Sequence, residues 1–208
     1  STDGPEATVI LGAAATTADA DAHGRGEDAV SCVRVQSATA SNGAVALRGF
    51  TLTGGRTRYD PSAGLDGNEL VSGAAFHALW SSRDAVTLEN CIVTNNFGQM
   101  QTVSSDTTCI GCLFDGNVAD SASVTHKSRL LGCLVKGGSA SNLYGCRICT
   151  FGPGSSFNLE GGHYECVDSL LMGKVGWHGN EMTFTNCVFL SGCERYGRVD
   201  CLVTNEAA

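Results

Sequence analysis

The sequence predicts an all-β chain wound as a right-handed parallel β-helix, a β-solenoid with about 20 residues per rung. Three observations predict it. A nine-residue phrase recurs through most of the 208 residues. The phrase has the period-two alternation of a strand and no helical periodicity. Gly, Asn or Asp returns at fixed places within it, where a chain must bend.

The copies begin with Leu47-Arg-Gly-Phe50-Thr-Leu-Thr-Gly-Gly and Leu88-Glu-Asn-Cys91-Ile-Val-Thr-Asn-Asn. They continue at Cys109-Ile-Gly-Cys112, Leu130-Leu-Gly-Cys133, Cys146-Arg-Ile-Cys149, Cys166-Val-Asp-Ser169 and Phe184-Thr-Asn-Cys187, with a partial copy around Cys201. We take Phe50, Cys91, Cys112, Cys133, Cys149, Ser169, Cys187 and Cys201 as anchors, spaced by 41, 21, 21, 16, 20, 18 and 14 residues. Two positions after each anchor the residue is always apolar. Three positions before, only Arg198 breaks an apolar or thiol column.

Anchor and anchor+2 share one strand face, because side chains alternate. Anchor−3 would point the other way on a straight strand, so the chain must turn between them. The residue before the anchor is Gly49, Asn90, Gly111, Gly132, Ile148, Asp168, Asn186 or Asp200. Most of these tolerate positive φ, and one left-handed residue there brings both apolar positions inside. Gly and Asn at anchor+4 and anchor+5 (Gly54-Gly55, Asn95-Asn96, Gly116-Asn117, Gly137-Gly138) form a second bend. A third strand is expected at 75–79, 101–105, 122–126, 157–160 and 175–178.

Residues 1–28 read as an N-terminal strand (Thr8–Leu11) and an Ala/Asp-rich loop, and 29–205 as rungs, starting with a strand over Val30–Val35. A long insertion at 56–72 explains the 41-residue interval, as two rungs less the insertion or one rung plus an excursion. The chain opens abruptly at Ser1 and closes on a strand-like Leu202-Val-Thr-Asn, so we expect a segment of a longer chain with flanking parts.

The rung pattern, with its Asn-bearing tight bend, resembles the pectin-lyase-like β-helix superfamily. Phe114-Asp-Gly-Asn117 and Ser72-Gly-Ala-Ala-Phe76 are similar to the F-x-x-N and G-G-A repeats of polymorphic outer-membrane and autotransporter passenger proteins. The resemblance covers roughly residues 29–205 and implies an extracellular or cell-surface protein, bacterial in source. The superfamily's calcium carboxylates and catalytic arginine have no matching motif here, so no catalytic residue is assigned.

Composition narrows the partners. A net charge of −8 with 13 basic residues disfavours nucleic acid. No run of 18 apolar residues provides a transmembrane helix. Eleven cysteines allow three readings. Cys109-x-x-Cys112 and Cys146-x-x-Cys149 have the look of zinc knuckles, yet Leu, Phe or Ser fills the same columns elsewhere, so no metal site is assigned. Disulfides between rungs fit the spacing better than they fit the dihedral. A core ladder of reduced thiols acting as small hydrophobes is the expectation. Cys32 and Cys193 fall outside the columns.

Function is sought where rungs differ. The insertion carries Arg56, Arg58, Tyr59, Asp60 and Asp66, and it precedes the strand with His77. Arg and Tyr are common at binding hot spots. On the third sheet His77, Thr102, Thr125, Asn158, Glu160 and His178 are expected outward. We therefore expect the insertion and a His77–Asn158–Glu160–His178 stripe to face a polysaccharide or cell-surface glycan. Asp60, Asp66, Asn68 and Glu69 are a weak calcium set, lacking the D-x-[DN]-x-[DN]-G spacing, and no cofactor is assigned. Two classes stand: a structural, adhesive or glycan-binding module, and a polysaccharide lyase or glycoside hydrolase.

Overall fold

The computed structural model describes residues 1–36, 43–60, 71–79, 85–103, 106–159, 165–175, 182–190 and 199–200. Within them the chain is strand, bend and turn, built into three long parallel sheets. The first sheet stacks Val9–Leu11, Thr51–Thr53, Ile92–Thr94, Leu113–Asp115, Leu134–Val135, Thr150–Phe151, Leu170–Leu171 and Val188–Phe189 in that order. The second stacks Val45–Arg48, Val86–Glu89, Thr107–Ile110, Arg129–Leu131, Gly145–Arg147, Glu165–Val167, Met182–Thr185 and Val199–Asp200. The third runs Val33–Gln36, Ser72–Leu79, Gln101–Val103, Ala122–His126, Gly138–Leu143, Ser155–Leu159 and Lys174–Val175. The chain visits second, first and third sheet in turn and then repeats, a connectivity compatible with a β-solenoid. No helix among the described residues is long and apolar enough to cross a membrane.

The register carries the columns read from the sequence. Leu47, Leu88, Cys109, Leu130, Cys146, Cys166 and Phe184 pair in succession on the second sheet. Leu52, Val93, Phe114, Val135, Phe151, Leu171 and Phe189 do so on the first. From Leu88 and Leu52 onward both columns are buried, and they form one core with the anchor cysteines. Between second and first sheet, Gly49, Asn90, Gly111, Gly132, Ile148, Asp168 and Asn186 all take positive φ, from 51° to 70°. That bend is what turns anchor−3 and anchor to the same interior.

The anchor thiols also serve the bend chemically. Cys112, Cys133, Cys149 and Cys187 each place Sγ 3.3–3.4 Å from the carbonyl of Leu88, Cys109, Leu130 and Cys166 in the previous rung. Ser169 does a similar service with a stronger donor, reaching the Val167 carbonyl at 2.8 Å while accepting from the Cys149 amide at 3.1 Å. The nine described cysteines are free thiols. Burial pushes the Cys109 and Cys146 thiols up, so they stay protonated. Cys32 is half-buried at the head of the third sheet, its Sγ 3.2 Å from the Thr53 carbonyl.

The second bend uses amides. Gly54, Asn95 and Gly116 take positive φ. Asn96 is fully buried: its Nδ2 donates to the Leu52 and Thr94 carbonyls at 2.9 Å, and its Oδ1 accepts from the Gly55 amide at 2.9 Å. Asn117 repeats the arrangement one rung on, donating to the Val93 carbonyl at 2.8 Å.

Several expectations need correction. Of the two readings of the interval from Phe50 to Cys91, one rung plus an excursion holds, since the described strands cross first, third and second sheet once each. The rung between Cys133 and Cys149 has its own third-sheet strand, Gly138–Leu143, absent from the expected set. Thr125 is not outward: a register shift in Ala122–His126 pairs it with Val103 and Ala140, fully buried, with Oγ1 2.7 Å from Ser128 Oγ. An irregular strand of this kind breaks the period-two count. The last copy is also out of phase. Val199–Asp200 pairs with Met182–Thr183, three residues away from the register that an anchor at Cys201 requires.

Candidate functional site

The outer face of the third sheet is not bare over its first rungs. Residues 12–31 leave the first sheet and run back along the stack as a strap. The strap is tied by Ala13, which forms an antiparallel bridge with Val30, and by Arg25. Arg25 is buried and bonds Asp21 at 2.6 Å, Asp120 at 3.0 Å and the Gly98 carbonyl at 3.1 Å. Burial works against its charge, but the two carboxylates outweigh it and raise its pKa. Asp28 closes the strap on itself, accepting from the amides and hydroxyls of Thr16 and Thr17. These donors, the Thr16 hydroxyl foremost, hold its carboxyl down at about 2.

The start of the insertion packs against the same face. Arg56 bridges Phe97 in parallel, next to the short pair Phe97–Gly98 and Val118–Ala119. Its guanidinium lies 4.0 Å from the centre of the Phe97 ring and donates to the carbonyls of His23, Gly55 and Asn95. His23 stacks on the same ring at 5.3 Å. Tyr59 lies 5.1 Å from the Arg25 guanidinium, and the Asp60 backbone exchanges two hydrogen bonds with the Gln99 side chain, at 2.8 and 2.7 Å.

Strap and sheet enclose a cleft of about 260 Å³. It is lined by Glu27, Asp28 and Ala29 of the strap, by Arg56 and Arg58 at the start of the insertion, and by Arg34 and His77 of the third sheet. Arg34 and His77 are direct register partners on adjacent strands. His77 is outward in phase, beside the inward Phe76, yet only 5% exposed, because the outer face here is covered. Burial first, and the Arg34 charge second, push its pKa down to about 4, so the imidazole is neutral at pH 7 with one donor and one acceptor nitrogen.

The structure thus brings together three of the residues singled out in the sequence: Arg56, Arg58 and His77. Tyr59 and Asp60 lie beside the cleft and are committed to Arg25 and Gln99. Thr102 stands beside the inward Val103 as His77 stands beside Phe76, and it too is buried. Asn158 belongs to strand Ser155–Leu159, four strands from the His77 strand and so about 19 Å along the stack. The structure does not bring it to the cleft. Asp66, Glu160 and His178, like Asn68, Glu69 and Cys193, lie outside the described residues. Among the described residues no group of three or more His, Cys, Asp or Glu side chains is arranged to hold a metal.

The sequence reading missed Arg34 and the strap wall. Arg34 had a usable signal, since it stands between Val33 and Val35 on a strand and must point out. The strap had none, because its ties are aperiodic. No known protein family matches the chain, and no curated protein or solved structure matches it either.

Proposed function

We propose that the chain is a right-handed parallel β-helix of the pectin-lyase-like kind, acting at or outside the bacterial cell surface as a structural and adhesive module that binds glycan in the strap cleft. The handedness is supported by the general rule that parallel strands of one sheet are joined by right-handed crossovers in roughly 98% of cases. The left-handed bend residue and the Asn ladder support the resemblance. One observation carries the binding role. Glu27 of the strap, Arg58 of the insertion and His77 of the third sheet face one concave site. Specific function on a repeat scaffold resides where rungs differ.

The test is a glycan array comparing the intact protein with Ala29→Trp. Ala29 is a half-buried strap residue on the cleft wall, and an indole there fills the space. Binding to some glycan is expected for the intact protein and its loss for the variant, with an unchanged circular dichroism spectrum. Binding that survives the variant would move the site elsewhere.

A further inference from the structure

We propose that Cys166 and Cys187 are a modification site: a small-molecule disulfide oxidises this pair to a bridge between two rungs, while the thiols stacked in register stay reduced. The inference does not depend on the glycan reading.

Two geometries bring sulfurs together in this core. In the first, two cysteines of one column lie in register on neighbouring strands, as Cys146 and Cys166 do on the second sheet. Their side chains leave the backbone in the same direction, whereas a disulfide needs a dihedral near 90° across its sulfurs. The second geometry is diagonal. Cys166 pairs in register with Phe184, and Cys187 stands three residues further on, past the left-handed Asn186. The two cysteines therefore approach from either side of the bend and from different directions. Cys187 Sγ lies 3.6 Å from Cys166 Sγ and 3.3 Å from the Cys166 carbonyl. A bond needs about 2.05 Å, so a shift of roughly 1.5 Å, shared by two side chains, closes it.

The surrounding residues narrow the choice of partner. Earlier anchor thiols follow one another as Cys91, Cys112, Cys133 and Cys149. Behind Cys187 the anchor is Ser169 instead, buried and bonded to the Val167 carbonyl at 2.8 Å, and a hydroxyl cannot be bridged. The same diagonal meets Leu47 from Cys91, Leu88 from Cys112 and Leu130 from Cys149. Besides the present pair, sulfur stands at both ends of a described diagonal only at Cys109 and Cys133.

The oxidant we name is a disulfide of the glutathione class, which persists in an oxidising compartment. Cys187, 4% exposed against 0% for Cys166, is the first attacker. Its thiolate attacks one sulfur of the small disulfide and releases one small thiolate. The Cys166 thiolate then attacks Cys187 Sγ in the mixed disulfide and releases the other. The two protons given up by the cysteines pass to the released thiolates, so two protein thiols become one disulfide and one small disulfide becomes two thiols. Contact with Cys166 first, and burial second, push the Cys187 thiol up, so the exchange waits on opening of the rung.

The experiment incubates the reduced protein with oxidised and reduced glutathione at about pH 8, where thiols exchange, until its thiol count is constant. The protein is then unfolded in an alkylating reagent and mapped by mass spectrometry without reduction. All but two of the eleven cysteines are expected to be alkylated, with one cross-linked peptide joining Cys166 to Cys187. The bridge spans 21 residues, so oxidation should raise the melting temperature by roughly 5 °C or more, reversibly with reductant. Cys187→Ser keeps a donor for the carbonyl, as Ser169 does, and should form no bridge. Should that variant fail to fold, the map of the parent protein decides. Eleven alkylated cysteines overturn the inference. So does a bridge at any other pair, Cys109–Cys133 included, or a Cys187→Ser protein that still loses two thiols.

Discussion

The bend between the second and first sheets and the strapped outer face of the third sheet are built from the same kinds of residue by opposite rules. At the bend every rung meets the same need with a left-handed residue, and from Cys91 onward a small side chain follows it and reaches a carbonyl. Ser169 replaces Cys once there, because either side chain fills the space and either donates. On the strapped face nothing repeats. Arg25 bonds Asp120, Arg56 lies on Phe97, and Arg34 and His77 are neighbours on adjacent strands, each an arrangement found once. The comparison separates what holds the stack from what distinguishes one part of it.

The largest effect should come from breaking the periodic interior at its most polar point. Asn96 has no exposed surface and ties the Leu52 and Thr94 carbonyls to the Gly55 amide. Asn96→Leu leaves at least two buried backbone groups without partners, at about 1–3 kcal/mol each, so a loss of roughly 4 kcal/mol is expected in chemical denaturation. A loss under 1 kcal/mol would mean that water replaces the amide and that the bend does not depend on its side chain.

This contrast also explains how much was legible. The three-sheet connectivity, the interior columns and the left-handed residue before each anchor follow from spacing alone, because stacking forces every copy into one register. Legibility failed where a rung departs locally. Thr125 moved inward through a strand irregularity, and Gly138–Leu143 was hidden by the short 16-residue interval. For the cleft, Arg56, Arg58 and His77 were legible in the sequence, but not the strap beside them. Covering an outer face needs long-range contacts such as Arg25 to Asp120, 95 residues apart, and these leave no periodic trace.

The strapped face should answer to pH where the interior does not. His77 is neutral in the folded chain, with its pKa lowered to about 4, while an unfolded histidine titrates near about 6.5. Between these values the unfolded state holds a proton that the folded state lacks. Its contribution is therefore full above about pH 6.5 and is lost as pH falls toward 4, amounting to at most about 3 kcal/mol. Stability measured from pH 7 to 4 should fall less steeply in His77→Gln than in the parent. Parallel curves would mean that His77 is hydrated enough to titrate as in solution.

The smallest effect sharpens the comparison from inside the regular bend, where one rung departs from the rule. Six of its seven described left-handed positions are Gly, Asn or Asp, and the seventh is Ile148, at φ 54°. A β-branched residue there crowds its own backbone, costing about 1–2 kcal/mol. Its side chain is 64% exposed, so it recovers little by burial. Its amide still bonds the Val167 carbonyl at 3.0 Å, which shows the stack imposing the conformation on an unwilling residue. Two rungs on, at the same bend position, Asn186 reaches Asp168 Oδ1 at 3.2 Å, and an Asn at 148 would lie beside Asp168 from the other side. Ile148→Asn is therefore expected to stabilise by about 1 kcal/mol, roughly 2–4 °C in melting temperature for a chain of this size. The reverse exchange, Asn90→Ile, should cost a similar amount. If Ile148→Asn lowers the melting temperature, the exposed isoleucine is covered by something in solution, and the bend is more than a device for turning the chain.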